Sequence, residues 1–230
     1  MRSDRRLWDE PAFVAVVLGT LGAALAMNYL GVAALHVVNR HYDAVQLGTI
    51  FGARETIALV ALGFLAERYL NASWSDLGLR DFRWRHVAAG VVLGIVSAIA
   101  ASWLAYVVDR GAYTDVIGRA GAAGTLPWRI FLFAVVAIYS PFVQELVFRG
   151  LLLQGLLQRT NAMLALAASS AAFAVVHFTS GTGSVVSAFV TGVVLGALFV
   201  RLRSLTASIA AHIAINTLAT VQLFLTSAYH

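Results

Sequence analysis

Three polar clusters interrupt the apolar second half of the sequence: Gln144-Glu145-x-x-x-Arg149, Phe173-x-x-x-His177 and His212-x-x-x-Asn216. Ionisable groups are costly in hydrocarbon, so those inside apolar runs face a protein interior or a watery cavity and carry function. A carboxylate, a guanidinium and two imidazoles on three neighbouring helices are the parts of a hydrolytic site. Glu145 and Arg149 stand i,i+4 on one helix face, so the guanidinium can hold the carboxylate. Gln144 points about 100° away from Glu145 at roughly 3.6 residues per turn, which lets the two serve different partners. His212 and Asn216 are again i,i+4 and can present a pair of donors to one point. Phe173, one turn before His177, is expected to pack the imidazole rather than react.

The elements that must position these groups are membrane helices. The 230 residues are 60% hydrophobic and 12% charged, with mean hydropathy +0.81, about half the roughly 25% charge of soluble domains. Apolar runs at 12–38, 45–66, 87–108, 128–157, 162–178, 184–200 and 205–227 approach the roughly 20 residues that a spanning helix needs. The expected fold is an all-α polytopic bundle of seven spans, or eight if a short segment in 111–127 enters the bilayer. The chain reads as a single transmembrane domain, with N-terminal helices and an interfacial loop to about 110 and a motif-bearing core over 126–228. The first run is too long for a cleaved leader and reads as a retained helix.

Zero cysteines exclude disulfides, thiolate catalysis and cysteine-bound metal centres. The net charge is +5, and all 16 basic residues are arginine. Their distribution is a topology signal, which argues against nucleic acid as a partner. With the N-terminus cytoplasmic, the inside segments hold Arg2, Arg5, Arg6, Arg68, Arg80, Arg83, Arg85, Arg159, Arg201 and Arg203. The outside segments hold Arg40, Arg110, Arg119 and Arg129. That excess favours an N-in, C-out orientation. The arginine- and alanine-rich composition is associated with GC-rich bacteria, so a bacterial cytoplasmic membrane is the expected location.

Depth along the helices brings the clusters together. The fourth run, roughly 45 Å of helix at 1.5 Å per residue, exceeds the roughly 30 Å hydrocarbon layer. Pro141, which cannot donate to the helical ladder, is the natural kink point. Measured from the turn at 158–161, Glu145 lies about 20 Å up one helix and His177 about 24 Å up the next. His212 reaches the same level if that turn projects into the cytoplasm.

In this order the clusters resemble the three motifs of the CAAX-protease and bacteriocin-processing family, also called the abortive-infection family: Glu-Glu-x-x-x-Arg, Phe-x-x-x-His and His-x-x-x-Asn or Asp. Pro141-Phe142-Val143-Gln144-Glu145-Leu146-Val147-Phe148-Arg149-Gly150 carries the first, and Leu77-Gly78-Leu79-Arg80 is also family-like. The resemblance covers about 128–220. It implies an intramembrane endopeptidase, similar to type II CAAX prenyl proteases, acting on a membrane-associated peptide or protein among membrane lipids. It also implies roles: the residue at 144 and His177 activate water, His212 and Asn216 hold the oxyanion, and Glu145 and Arg149 support the site. A metal-dependent description of the family would make Glu145, His177 and His212 candidate ligands of a divalent ion such as zinc. One departure matters: the family's first Glu is Gln144 here. An amide accepts no proton at neutral pH and cannot be a general base, so hydrolysis is expected to be impaired unless Glu145 or His177 takes over.

Plainer readings stand beside these. Glu145–Arg149 can be a structural ion pair, Asn216 an interhelical hydrogen-bonding residue, and Gly192-x-x-x-Gly196 a close-packing pair. Arg54–Glu55 in the second span reads as structural, and His36, His41, His86 and His230 as interfacial. The alternative functions are a non-catalytic membrane scaffold of the same family and a small transporter. Transporters carry inverted repeats, and the sequence has none.

Overall fold

The computed structural model describes residues 10–38, 44–79, 82–108, 125–177 and 182–227. Among these residues all regular structure is helical. Helix α1 is Glu10–Val38, and α2 is Ala44–Leu65, extended by a π-helical turn at Ala66–Leu70. Helix α3 is Trp84–Val108, α4 is Leu126–Leu157 and α5 is Ala162–Val175. Helices α6 and α7 are Thr182–Leu202 and Leu205–Ser227. The helices coincide with the apolar runs of the sequence. Among the described residues, four helices are long and apolar enough to cross a membrane: Val45–Leu70, Trp84–Val108, Leu126–Leu157 and Thr182–Leu202. The candidate eighth segment at 111–127 falls outside the described residues except for its last three.

Local chemistry sets the helix ends. The Asn161 carboxamide oxygen accepts from the Leu164 N–H at 2.9 Å and caps α5, satisfying one of the orphan donors of its first turn. Pro127 occupies the first turn of α4, where its missing N–H costs nothing. Asn71, in the left-handed region at φ 49°, ends the π turn of α2.

Helix α4 is the axis of the molecule. Two π-helical stretches, Ala134–Tyr139 and Leu146–Leu153, flank a short α segment, Ser140–Glu145, that carries Pro141. Every residue from Leu146 to Leu153 is buried. The loop after α2 docks on this helix, with the Gln154 Nε2 donating to the Asp76 carbonyl at 2.7 Å. A Cβ at Gly150 would lie 2.6 Å from the Leu77 carbonyl oxygen, so only glycine lets the loop approach. Gly78, at φ +104°, turns the loop away again.

Two small-residue seams bring the outer helices close. A Cβ at Gly192 would meet the Ser170 Cα at 3.0 Å, and Gly196 faces Leu166, which seats α6 on α5. Gly90 and Gly94 of α3 face the carbonyl oxygens of Ala207 and Ala211 in α7. On the outside, Val60, Phe64, Ile99 and Trp103 are exposed, the apolar periphery expected of a bundle whose solvent is lipid.

Candidate active site

Two polar groups of residues form around α4, on different sides of it. The first is a sealed cluster. One oxygen of Glu145, Oε1, accepts from Arg149 Nη1 at 2.7 Å and from His212 Nδ1 at 2.8 Å. Glu145 is 0% exposed, Arg149 1% and His212 2%, so this cluster has no path to water. Arg149 spends a second nitrogen on the Gly192 carbonyl at 3.1 Å, a bond that the α5–α6 seam makes possible. The guanidinium carbon lies 4.9 Å from the centre of the Phe173 ring, a cation–π contact strengthened by desolvation. Glu145 Oε2 and Arg149 Nε are buried with no hydrogen-bond partner among the described residues.

Phe173 connects the sealed cluster to the second group. Its ring centroid lies 5.5 Å from that of His212 and 4.8 Å from that of His177, so one aromatic side chain packs both imidazoles. His177 Nδ1 lies 2.8 Å from the Phe173 carbonyl oxygen. A carbonyl only accepts, so Nδ1 carries the proton, and neutral His177 holds a lone pair on Nε2.

The second group lines a cavity of about 50 Å³ whose walls include Thr20, Arg54, Glu55, Gln144, Phe148 and His177. A buried water needs roughly 10–15 Å³ and two to four polar partners, so the cavity can take water. Glu55 is its carboxylate. Oε1 of Glu55 accepts from Ser140 Oγ at 2.6 Å, from Gln144 Nε2 at 3.1 Å and from Arg54 Nε at 3.1 Å, with Arg54 Nη2 also bonded to it. Gln144 Nε2 donates in addition to Ser140 Oγ at 2.8 Å. The Thr20 hydroxyl oxygen is buried on this cavity without a partner among the described residues.

Asn216 belongs to neither group. Its Nδ2 donates to the Val136 carbonyl at 3.0 Å. The cause lies in α4, where the Ser140 N–H reaches back five residues to Val135. In that register the next donor would be residue 141, a proline with no N–H. Val136 is left with a free carbonyl, and Asn216 fills it.

The structure therefore brings Gln144 and His177 together on the cavity, and Glu145, Arg149 and His212 together beside it. Sequence reasoning set aside Glu55 and gave Ser140 no part. The signal for Glu55 was a charged pair inside an apolar run. As a metal site the candidates Glu145, His177 and His212 do not fit. Glu145 Oε1 and His212 Nδ1 are bonded to each other, His177 Nδ1 is bonded to the backbone, and no three His, Asp or Glu side chains converge among the described residues. Tetrahedral zinc sites need three or four such donors on one point.

Residues 126–218 match the family described as type II CAAX prenyl endopeptidase Rce1-like. Over this region, less than half of its length, the chain is similar to the CAAX-protease family. All three motif clusters fall inside the match, whereas α2 with Arg54 and Glu55 falls outside it. No curated protein and no solved structure matches the chain. Four helices among the described residues that are long and apolar enough to cross a bilayer, together with this similarity, mark the chain as an integral membrane protein.

Proposed function

We propose that the chain is an intramembrane endopeptidase that hydrolyses peptide bonds of membrane-associated peptides or proteins. The observation that carries this reading is a small cavity inside an apolar bundle that His177 and Gln144, both at the family's motif positions, border together with Glu55. His177 Nε2 accepts a hydrogen bond from the hydrolytic water. His212, bonded through Nδ1 to Glu145 and packed on Phe173, belongs to the sealed cluster and supports the cavity from behind that ring. Glu145 supports this arrangement as a fixed anchor, since its bonded oxygen is already shared between two cations or donors.

The family description names prenyl endopeptidases, so a prenylated C-terminal tail is the first substrate class to present. The test is cleavage by the purified chain in proteoliposomes. Substrates are a quenched peptide ending in a farnesylated cysteine tail and a proteome-derived peptide library read by mass spectrometry. New peptide termini that disappear in His177→Ala support the reading. A folded chain that generates none from either source contradicts it.

A further inference from the structure

We infer that Glu55 of α2 is the carboxylate that takes the proton from the hydrolytic water in this chain, standing in for the acid missing at position 144. The inference rests on the endopeptidase reading and assigns its general base. Three observations converge on it. Glu55 lines the same cavity as His177 and Gln144. The Gln144 amide bonds directly to Glu55, so the position that lacks a carboxylate touches one. All the hydrogen bonds to Glu55 end on Oε1, leaving Oε2 without a hydrogen-bond partner among the described residues.

The arrangement suits a base. Arg54, Ser140 and Gln144 all donate to Oε1, which fixes the carboxylate plane. Gln144 contributes what a carboxylate there could not, a donor that holds Glu55 in place. A Glu at 144 would set two carboxylates within hydrogen-bonding distance, and like charges that close cannot both ionise. The Glu55–Gln144 pair thus keeps one acid and one amide on the cavity with the acid moved from α4 to α2.

The chemistry balances without a further reactant. Water donates one hydrogen bond to His177 Nε2 and gives its other proton to Glu55 Oε2 while its oxygen bonds to the scissile carbonyl carbon. The carbonyl π electrons become the oxyanion. As the oxyanion collapses, the C–N bond breaks and the proton on Glu55 passes to the leaving nitrogen. One water and one peptide bond yield a carboxylic acid and an amine.

Arg54–Glu55 as a purely structural ion pair predicts different kinetics, so turnover separates the two. The unaltered chain, Glu55→Gln, Gln144→Glu and the exchange variant Glu55→Gln/Gln144→Glu are compared on the farnesylated peptide and the peptide library. General-base catalysis contributes about 10²- to 10⁴-fold. The unaltered chain should cleave, Glu55→Gln should lose about that factor in kcat with KM within threefold, and the exchange variant should recover at least tenfold over Glu55→Gln. If Glu55→Gln fails to fold, Glu55→Asp replaces it, and a tenfold or greater fall in kcat is expected from withdrawing the carboxylate by one methylene. Undiminished kcat in the folded Glu55 variant overturns the inference and leaves the endopeptidase reading intact. An inactive chain made active by Gln144→Glu does the same. Inactivity of every folded variant overturns both.

Discussion

The sealed cluster and the cavity cluster use the same residue types to opposite ends. Around Glu145 a carboxylate, a guanidinium and an imidazole are packed away from water, with exposures of 2% or less. Around Glu55 a carboxylate, a guanidinium, an amide and an imidazole border a space that can admit water. Burial is what separates them. A charge network with no room for a ligand fixes helices, and it holds His212 and Phe173 in place for the neighbouring cavity. A charge network with room for water can do proton chemistry. The lesson is that adjacent residues of one motif, Gln144 and Glu145, divide between the two because they point to different sides of α4.

Breaking the sealed cluster should give the largest effect. Arg149→Ala removes the guanidinium that holds Glu145 in a dry interior, and breaking a buried pair costs about 3–5 kcal/mol. Thermal unfolding in detergent should show that loss, or the protein should fail to accumulate. Replacing both charges, as in Glu145→Gln/Arg149→Met, should be less damaging than Arg149→Ala alone, because no lone charge remains. Equal losses would mean that the cluster is held by packing and not by charge.

A medium effect belongs to Asn216. Its removal strands the Val136 carbonyl, and an unsatisfied buried backbone group costs about 1–3 kcal/mol. Pro141→Ala supplies the missing N–H at 141, so the double variant Pro141→Ala/Asn216→Ala should lose less than the sum of the two single losses. Strict additivity of the melting shifts would sever the link between the proline and the asparagine.

The smallest effect should come from Ser169, whose hydroxyl donates to the Phe148 carbonyl at 3.0 Å between α5 and α4. Side-chain hydrogen bonds between membrane helices average about 0.6 kcal/mol, so Ser169→Ala should barely move the melting temperature. A loss several times larger would place Ser169 inside the sealed cluster's support.

Much of this was legible in the sequence, for physical reasons. Glu145 and Arg149 sit four residues apart, so one helical turn determines their meeting. Helical depth put His177 and Glu145 at one level, and Phe173 was placed as packing for His177. The bond from His212 to Glu145 was not legible, since it spans 67 residues and depends on how closely the helices pack. One contributing seam, Gly90 and Gly94 against α7, was not singled out among the 19 glycines of the chain. Asn216 carried no sequence signal for its partner. The proline that frees the Val136 carbonyl was noticed as a bend, but its effect on the hydrogen-bond register requires the π-helical geometry. Glu55 was visible as a charge in an apolar run, and only the packing of α2 against α4 shows that it faces Gln144.

The division of labour is tested most directly by measuring turnover and melting temperature on one preparation each of His177→Ala and Arg149→Ala. The account predicts that His177→Ala loses about 10²- to 10⁴-fold in kcat while melting within a degree or two of the unaltered chain. Arg149→Ala should show the reverse order of damage, with unfolding first and any loss of turnover following from it. A His177→Ala protein that still cleaves at the original rate, or one that melts as early as Arg149→Ala, would contradict the separation of a catalytic cavity from a sealed scaffold.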